Sequence, residues 1–397
     1  MSAPSFPFAE GPGLEPPPEY REILGAGALC PVTLAGGRPA VLATRFDDVR
    51  TVLGDPRFSR EAHGALFDRE AGSLALLLTD PPVHTRRRRT VAAGFTARRA
   101  EAARPGLAAL AAELIAGLRA RGTEAELVEE FAVPFTLAVI SDLLGVPATD
   151  RGRFRPWVNA MMSRGHASPA EVAEGHRAMH EYFTALVDEI WAGRAPREGI
   201  IADLAPVPGR ADELSREEAI VMSAGLLVAG YESTSNQLAS CVYLLLTDRA
   251  RWESLRGEPA ALDRAIEEML RWTSFTTGGG TPHVATEDVR LTDRMVRRGE
   301  VVVPLTDAAN RDAEVFADPQ RLDLAREHNP HVAFGAGRHR CLGAELARAE
   351  LQTGLAVLLR ELPGLELAVP EGALRWRREM QVSGLWELPV RWAGDAR

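Results

Sequence analysis

Residues 334–343 read Phe-Gly-Ala-Gly-Arg-His-Arg-Cys-Leu-Gly, a glycine-rich loop that brings Cys341 to the start of a predicted helix over about 341–362. Glycine tolerates positive φ angles and lets the backbone pass close to a flat ligand, where a side chain would collide. A thiol at a helix N-terminus has its pKa lowered by the helix dipole and by free amide donors, so its thiolate can bind a metal. The alternative for an isolated cysteine is a buried structural residue after a glycine turn.

The composition around this loop is that of a large globular protein. The chain has 397 residues, of which 46% are hydrophobic and 25% are charged, and this excludes disorder and small disulfide-stapled scaffolds. The formal net charge of −9 argues against affinity of the whole protein for nucleic acid. Cysteines at 30, 241 and 341 are too few and too scattered for a disulfide framework, so we expect a reducing compartment.

The sequence shows no signal for export or membrane insertion. The proline-rich residues 1–18 lack the basic and apolar regions of a signal peptide. No stretch reaches the roughly 18 consecutive apolar residues of a membrane span. We therefore expect a cytoplasmic protein that has no membrane partner.

Helical periodicity dominates the first two thirds of the chain. Apolar residues recur at helical spacing over 97–121, 123–144, 169–191 and 215–247. The last segment begins with a capping box of Ser215 and Glu218 and runs for about 33 residues without proline, which corresponds to about 50 Å of helix. Its middle is apolar on every side, which predicts a helix buried within the protein.

Strand patterns are short and scattered. A hairpin is predicted over 32–34 and 40–43, a small sheet over 281–305, and a second hairpin over 374–390 that turns at Ser383 and Gly384. The sequence contains no internal repeat and no convincing linker. We therefore predict a mainly α protein with small β-sheets.

The loop that carries Cys341 resembles the haem-binding signature of the cytochrome P-450 superfamily, the haem-thiolate monooxygenases, in their soluble bacterial form. The resemblance implies haem b with the Cys341 thiolate as axial iron ligand, and Phe334, Gly335, His339 and Gly343 around the cofactor. It extends over nearly the whole chain. It also implies the family's fold, a triangular prism in which haem lies between a long distal helix and a proximal helix.

The same resemblance implies a domain organisation. Residues 1–397 would form a single domain with a small β-rich lobe and a larger helical lobe, and residues 1–18 would be a flexible proline-rich segment. A monomer is expected.

An acid and two arginines match the family's buried salt-bridge network. Glu268 and Arg271 fit its E-x-x-R motif, in which the i, i+3 spacing places both side chains on one helix face. Arg321 resembles the third member. Without the resemblance, such a pair would be an ordinary solvated surface pair.

Several basic residues match the family's contacts to the haem propionates. His84 and Arg88 are stacked on one helix face by their i, i+4 spacing, and His339 resembles a further donor. The family usually has arginine where this chain has His283. Histidine is shorter and only partly charged near neutral pH, so propionate anchoring from that side is expected to differ.

Further arginines precede and follow Arg88, at positions 86, 87, 89, 98 and 99. They are interpreted as a docking site for an acidic ferredoxin, supplied by a ferredoxin reductase, because opposite charge speeds encounter. The alternative is an ordinary solvated helix face.

Residues 229–234 resemble the family's oxygen-activation motif on the distal helix. Gly230 would open room for O2, and Glu232 would relay protons from solvent. The family's threonine is replaced here by Ser233, and Thr234 is turned about 100° around the helix from it. The alternative for both hydroxyls is a bond to a carbonyl one turn earlier.

Substrate contacts are implied by resemblance alone, and each of these residues fits a core position equally well. They are His63, Leu66, Phe67, Trp157, Met161, Leu226, Phe275 and Val382. The lining is mostly apolar, and glycines at 278–280 suggest an open wall, so we expect a lipophilic secondary metabolite that receives one oxygen atom from O2. The alternatives are oxidative coupling of phenols or indoles by the same haem and, less favoured, a non-catalytic helper protein.

Overall fold

The computed structural model describes residues 3–27, 29–65, 76–196, 198–206 and 214–394. The fold is mainly α with small sheets, as predicted. The helices are α1 Pro18–Ala26, α2 Phe46–Gly54, α3 Glu61–Ala65, α4 Val83–Ala92, α5 Ala97–Arg121, α6 Val133–Leu144, α7 Phe154–Met161, α8 Pro169–Trp191, α9 Gly199–Asp203, α10 Arg216–Leu246, α11 Arg249–Gly257, α12 Leu262–Trp272, α13 Thr306–Ala309 and α14 Ala344–Glu361. The strands are β1 Leu29–Thr33, β2 Pro39–Ala43, β3 Phe58–Ser59, β4 Glu124–Glu126, β5 His283–Ala285, β6 Val289–Arg290, β7 Met295–Val296, β8 Val301–Pro304, β9 Glu366–Leu367 and β10 Pro389–Arg391.

The chain divides into two compact units. Unit 1 comprises residues 1–86 and 267–342, and unit 2 comprises residues 87–266 and 343–397. The prediction that residues 1–397 form a single domain stays a prediction. Among the described residues, no helix is long and apolar enough to cross a membrane.

Unit 1 is built on a five-stranded sheet in the order β1-β2-β8-β5-β3. Alternate residues of β2 enter two hydrophobic clusters, with Val41 and Ala43 in one and Ala40 and Leu42 in the other. This alternation is the two-residue period of a strand that is covered on both faces. The predicted hairpin corresponds to β1 and β2, which pair antiparallel.

The proline-rich N-terminal segment packs on unit 1, although the sequence predicts that it is flexible. The Phe6 amide donates to the Thr33 carbonyl at 2.8 Å, and the Phe6 ring is buried. The Leu14 side chain is also buried, and its carbonyl accepts from the Ser274 amide. Buried apolar side chains and backbone hydrogen bonds therefore hold this segment.

Unit 2 is organised around α10, which packs against α6, α8 and α14. Ser215 and Glu218 form the predicted capping box, with the Ser215 hydroxyl accepting from the Glu218 amide at 3.1 Å. The helix has 31 residues and is therefore about 46 Å long. Most of its second half is buried.

Two predicted elements of unit 2 differ from the structure. The helix expected over 123–144 begins only after β4 and a short π-helical turn, because the Glu126 carboxylate caps the amides of Val128 and Glu129. The hairpin expected over 374–390 pairs residues 375–377 with 384–386. Its last residues instead form β10, which pairs with β4 and β9.

Glu350 on α14 is buried, and within the described part of the chain its Oε2 has no hydrogen-bond partner. Burial raises the pKa of this carboxyl group well above its ordinary value. The folded protein therefore keeps a proton that the unfolded chain releases above about pH 4.3. As pH rises from there toward the folded-state pKa, this group lowers the free energy of unfolding.

We expect Glu350→Gln to raise the melting temperature at pH 7 by about 2 °C or more, because the amide needs no proton. The difference from the parent should vanish near pH 4. Thermal unfolding followed by circular dichroism measures both values, with Glu113→Gln on the exposed side of α5 as the control. Equal melting temperatures for Glu350→Gln and the parent at pH 7 would contradict the prediction.

Candidate active site

The loop that carries Cys341 is held in shape by its own backbone and by α2. Gly335 and Gly337 have φ angles of 69° and 67°, in the left-handed region that favours glycine. A Cβ atom on Gly337 would lie 2.4 Å from the Leu53 carbonyl oxygen, so only glycine fits beside the end of α2. The Cys341 amide donates to the carbonyl of Phe334 at 2.8 Å and closes the loop.

The structure corrects the predicted start of the following helix. Helix α14 begins at Ala344 with Gly343 as its N-cap, so Cys341 lies two residues before the cap and not in the first turn. Cys341 is exposed, whereas Cys241 is buried. The loop therefore presents the residue that the sequence singles out as a thiolate ligand.

Two of the predicted propionate donors meet in unit 1. The ring centroids of His84 and His339 are 4.2 Å apart. His339 Nε2 lies 3.8 Å from Asp80 Oδ1. Burial alone would raise the pKa of Asp80, but His339 and Ser59 lower it to about 2. The His339 imidazole therefore lies between the His84 ring and a carboxylate that stays ionised.

His283, which stands where the family usually has arginine, contacts an arginine that the sequence did not indicate. Strands β3 and β5 pair antiparallel with Ser59 opposite Val284, so the next residue, Arg60, faces His283. Arg60 Nε donates to His283 Nε2 at 3.1 Å, and both side chains are buried. Burial and the charge of Arg60 lower the pKa of His283 well below its usual range. His283 is therefore neutral, and a guanidinium lies beside it.

The arginines of α4 differ in their surroundings. Arg88 follows His84 by one helical turn, as predicted, and is half-buried. Arg87 forms a largely buried ion pair with Glu218, with Nε and Oε1 3.0 Å apart. Arg87 therefore belongs to the packing of unit 2, and this corrects its assignment to a docking surface.

Glu268 is the centre of a buried ion-pair network, as the resemblance implies. Arg271 Nε and Nη2 donate to its two carboxylate oxygens, each at 2.7 Å, and both side chains are fully buried. The third cation is Arg326, whose Nε lies 2.9 Å from Glu268 Oε2. The assignment of Arg321 to this position is wrong, because its exposed side chain makes no ion pair with Glu268 and only its carbonyl accepts from Arg271. The two arginines lie five residues apart in an irregular stretch, so no sequence periodicity distinguishes them.

Glu232 is the buried acid of α10. Its Oε1 lies 2.5 Å from Arg377 Nη2, and both side chains are 3% exposed. Arg377 stacks on the ring of Trp386, with its Cζ 4.3 Å from the ring centroid. The segment that carries Arg377 approaches α10 so closely that a Cβ atom on Gly384 would lie 2.3 Å from Asn236 Oδ1. The predicted proton-relay residue is thus held by a cation from the 375–386 hairpin.

The other residues of the oxygen-activation motif have different surroundings. A Cβ atom on Gly230 would lie 2.5 Å from Ile140 Cγ1 on α6, so helix packing favours glycine here, and its role in opening room for O2 stays a prediction. Ser233 Oγ donates to the Ala229 carbonyl at 2.7 Å, which is the alternative considered for this hydroxyl. Thr234 points away from Ser233 around the helix, and its side chain is buried. Its hydroxyl therefore does not take the place of the Ser233 hydroxyl.

The predicted substrate contacts are distributed over both units. In unit 2, Gln381 next to the buried Val382 bonds to the carbonyls of Met161 and Met162, so this segment lies on the end of α7. Leu66 and Phe67 lie outside the described residues. The remaining members are half-buried. They are Trp157 on α7, Leu226 on α10, His63 on α3 and Phe275 after α12.

Gly279 and Gly280 do not form the predicted open wall. A Cβ atom would lie 2.3 Å from Leu305 Cδ2 at Gly279 and 2.5 Å from the Pro304 carbonyl oxygen at Gly280. These glycines instead let the segment pack closely on the end of β8.

Comparison with known proteins agrees with this arrangement. The family model described as Cytochrome P450 matches residues 194–363. The chain is 40% identical over 395 residues to mycinamicin IV hydroxylase/epoxidase from Micromonospora griseorubida, with 98% of each chain covered.

Solved structures have the same fold. The LnmA cytochrome P450 hydroxylase from the leinamycin biosynthetic pathway of Streptomyces atroolivaceus is 40% identical, with a TM-score of 0.90 over 98% of this chain and 100% of that one. A cytochrome P450 with biaryl coupling reactivity is 34% identical, with a TM-score of 0.91 over 98% of this chain and 100% of that one. The site residues and near-complete coverage at this identity lead to one conclusion: the chain belongs to the cytochrome P450 family of oxygen-using oxidoreductases.

Proposed function

We propose that the protein is a haem b monooxygenase that inserts one oxygen atom from O2 into a lipophilic secondary metabolite. Its electrons would come from a ferredoxin and a ferredoxin reductase. Relatives named as a hydroxylase/epoxidase and as a hydroxylase of a biosynthetic pathway support this reaction class. The predicted monomer and cytoplasmic location stay predictions.

The residues of unit 1 fit a haem. The loop presents Cys341, which would be the axial ligand. Buried polar groups fit the propionates, since His339 Nε2 has no hydrogen-bond partner among the described residues and His84 lies beside it. Haem, when bound, supplies the activation of O2, and a thiolate ligand favours O–O cleavage.

The observation that carries the proposal is the buried acid of α10. Glu232 is the residue immediately before Ser233, whose hydroxyl lies on the half-exposed face of the helix. Glu232 would take a proton at a carboxylate oxygen and pass it toward the Ser233 hydroxyl. Release of that carboxylate from Arg377 Nη2 is the step that frees the oxygen to take the proton. The hydroxyl must then turn from the Ala229 carbonyl to donate.

Electron delivery has separate support. Arg89, Arg98 and Arg99 of unit 2 are exposed, whereas Arg87 is not. An exposed arginine cluster would attract an acidic ferredoxin, and the rate of reduction should fall as ionic strength rises.

The expected result for Glu232→Gln is a turnover about 100-fold slower, because the amide cannot relay a proton. Haem content and substrate affinity should stay at parent values. Turnover is measured with purified ferredoxin and reductase on a metabolite that shifts the haem spin state, starting with mycinamicin IV, for which one relative is named. The matched control is Glu217→Gln, an exposed acid on the same helix. Parent-like turnover in Glu232→Gln would remove the proton-relay role.

A second reaction is favoured by Ser233. Its hydroxyl is bonded to a carbonyl of its own helix and must turn before it can deliver a proton, a step that oxidative coupling does not need for oxygen transfer. Oxidative coupling of phenols or indoles leaves no oxygen in the product, and one similar structure is that of a P450 with biaryl coupling reactivity. Product mass separates the two reactions, because insertion adds one oxygen atom and coupling removes two hydrogen atoms.

A further inference from the structure

We propose that Arg60 supplies a guanidinium that binds a haem propionate, and that His283 is the residue that positions it. This inference rests on the proposed haem. It concerns a residue outside the helix and loop that carry His84 and His339.

The guanidinium of Arg60 is built into the sheet. It follows β3 directly, and the β3–β5 register places it opposite His283. The Arg60 side chain is buried, and its Nε donates to His283 Nε2. Because a guanidinium has no acceptor, His283 must accept at Nε2 and carry its own proton at Nδ1. This hydrogen bond fixes the orientation of the Arg60 guanidinium group.

The described residues offer no acceptor to the rest of that guanidinium. Within the described ranges, neither Nη1 nor Nη2 of Arg60 donates a hydrogen bond, although each carries two N–H groups. A buried cation with open donors calls for an anion. The parallel N–H groups of a guanidinium match the two oxygens of a carboxylate.

The charges around Arg60 favour such an anion. Asp80 is the nearby carboxylate, but its Oδ2 accepts from the Ser59 hydroxyl at 2.5 Å and it forms no ion pair with Arg60 among the described residues. Arg338 adds a second positive charge to the same surroundings. His283 is neutral. Two guanidinium groups therefore lie near an Asp80 carboxylate that is already bonded to Ser59, an arrangement that suits a ligand that carries carboxylates.

This arrangement gives His283 a new role. With arginine at position 283, the guanidinium would come from β5 itself. In this chain β5 contributes His283 as the hydrogen-bond acceptor, and Arg60 at the end of β3 contributes the guanidinium. The positive charge is therefore kept but is carried by a different strand.

The first test measures haem release from purified holoprotein to excess apomyoglobin. Arg60→Gln should release haem about ten-fold faster or more, because a charge-assisted bond is lost. The ferric/ferrous midpoint potential should fall, because removing a nearby positive charge favours the ferric state. Arg57→Gln is the control, since Arg57 is partly exposed and paired with Asp55 in the same unit. Parent-like release and potential in Arg60→Gln would overturn the proposal.

The second test separates propionate binding from support of the fold. Haem dimethyl ester has no propionate charge, so Arg60→Gln should release it no faster than the parent does. Equal acceleration for haem and its ester would mean that Arg60 only stabilises the sheet, and the proposal would fail. A parent that binds no haem at all would contradict the proposed function instead.

The positioning role of His283 has its own variants. His283→Gln keeps an acceptor for Arg60 Nε and should retain slow haem release, whereas His283→Leu should release haem as fast as Arg60→Gln. The double variant Arg60→Gln/His283→Arg should restore slow release by moving the guanidinium to β5. Slow release from His283→Leu would overturn the positioning role.

Discussion

Cys341→Ser should abolish the red-shifted Soret band of the ferrous carbonyl complex and reduce monooxygenase turnover to background. Serine has nearly the same shape, and the loop is held by the Cys341 amide and by Gly337 against Leu53, so the backbone should stay in place. The change removes only the sulfur that can ligate iron as a thiolate. Absorption spectra of the reduced protein under carbon monoxide give the measurement.

The other cysteines provide matched controls. Burial raises the pKa of Cys241 to about 12 and also raises the pKa of Cys30, so both stay protonated at neutral pH. Cys241→Ser and Cys30→Ser should keep the red-shifted band. Persistence of that band in Cys341→Ser, or a band typical of histidine ligation in the parent, would contradict the assignment of the ligand.

Glu268→Ala should destabilise the protein by about 3–5 kcal/mol, because it leaves two buried guanidinium groups without their carboxylate. Arg271 and Arg326 both donate to Glu268, and its Oε1 also accepts from the Asp323 amide at 2.9 Å. Urea unfolding followed by circular dichroism measures the loss. We expect little folded protein at 37 °C.

Two arginine variants test which cation completes this network. Arg326→Ala should lower the free energy of unfolding by a large part of the amount by which Glu268→Ala lowers it. Arg321→Ala should change the free energy of unfolding by less than about 0.5 kcal/mol, since the backbone carbonyl that accepts from Arg271 remains. An Arg321→Ala loss as large as that of Arg326→Ala would contradict the corrected assignment.

Local signals in the sequence predicted much of the fold and part of the site. The capping box at Ser215 and the absence of proline marked α10, because helix starts are encoded within four residues. The glycines within residues 334–343 predict a tight loop, and Gly335 and Gly337 have the positive φ angles that such a loop needs. The signals that worked are those in which the interacting groups lie close together in the chain.

The contacts that the sequence could not predict join distant parts of the chain. Gly230 packs against Ile140 on another helix, 90 positions earlier, and no local pattern indicates that contact. Arg60 was missed because its partner His283 lies 223 residues away and only the β3–β5 register brings them together. The sequence predicts Arg321 in the Glu268 network, whereas the structure places Arg326 there, because the fold of this irregular stretch follows no periodic pattern.

The hairpin of residues 375–386 ties two properties of the enzyme together. Arg377, at the base of the hairpin, forms the ion pair with Glu232. Further along the hairpin, the Gln381 backbone amide donates to the carbonyl of Met162 at the end of α7. With Glu232 as the proposed proton relay and Val382 as a predicted substrate contact, directed evolution of this segment should also change the fraction of electrons that ends in product. Libraries that randomise residues 378–383 while fixing Arg377 and Gly384 are the ones that should retain that efficiency.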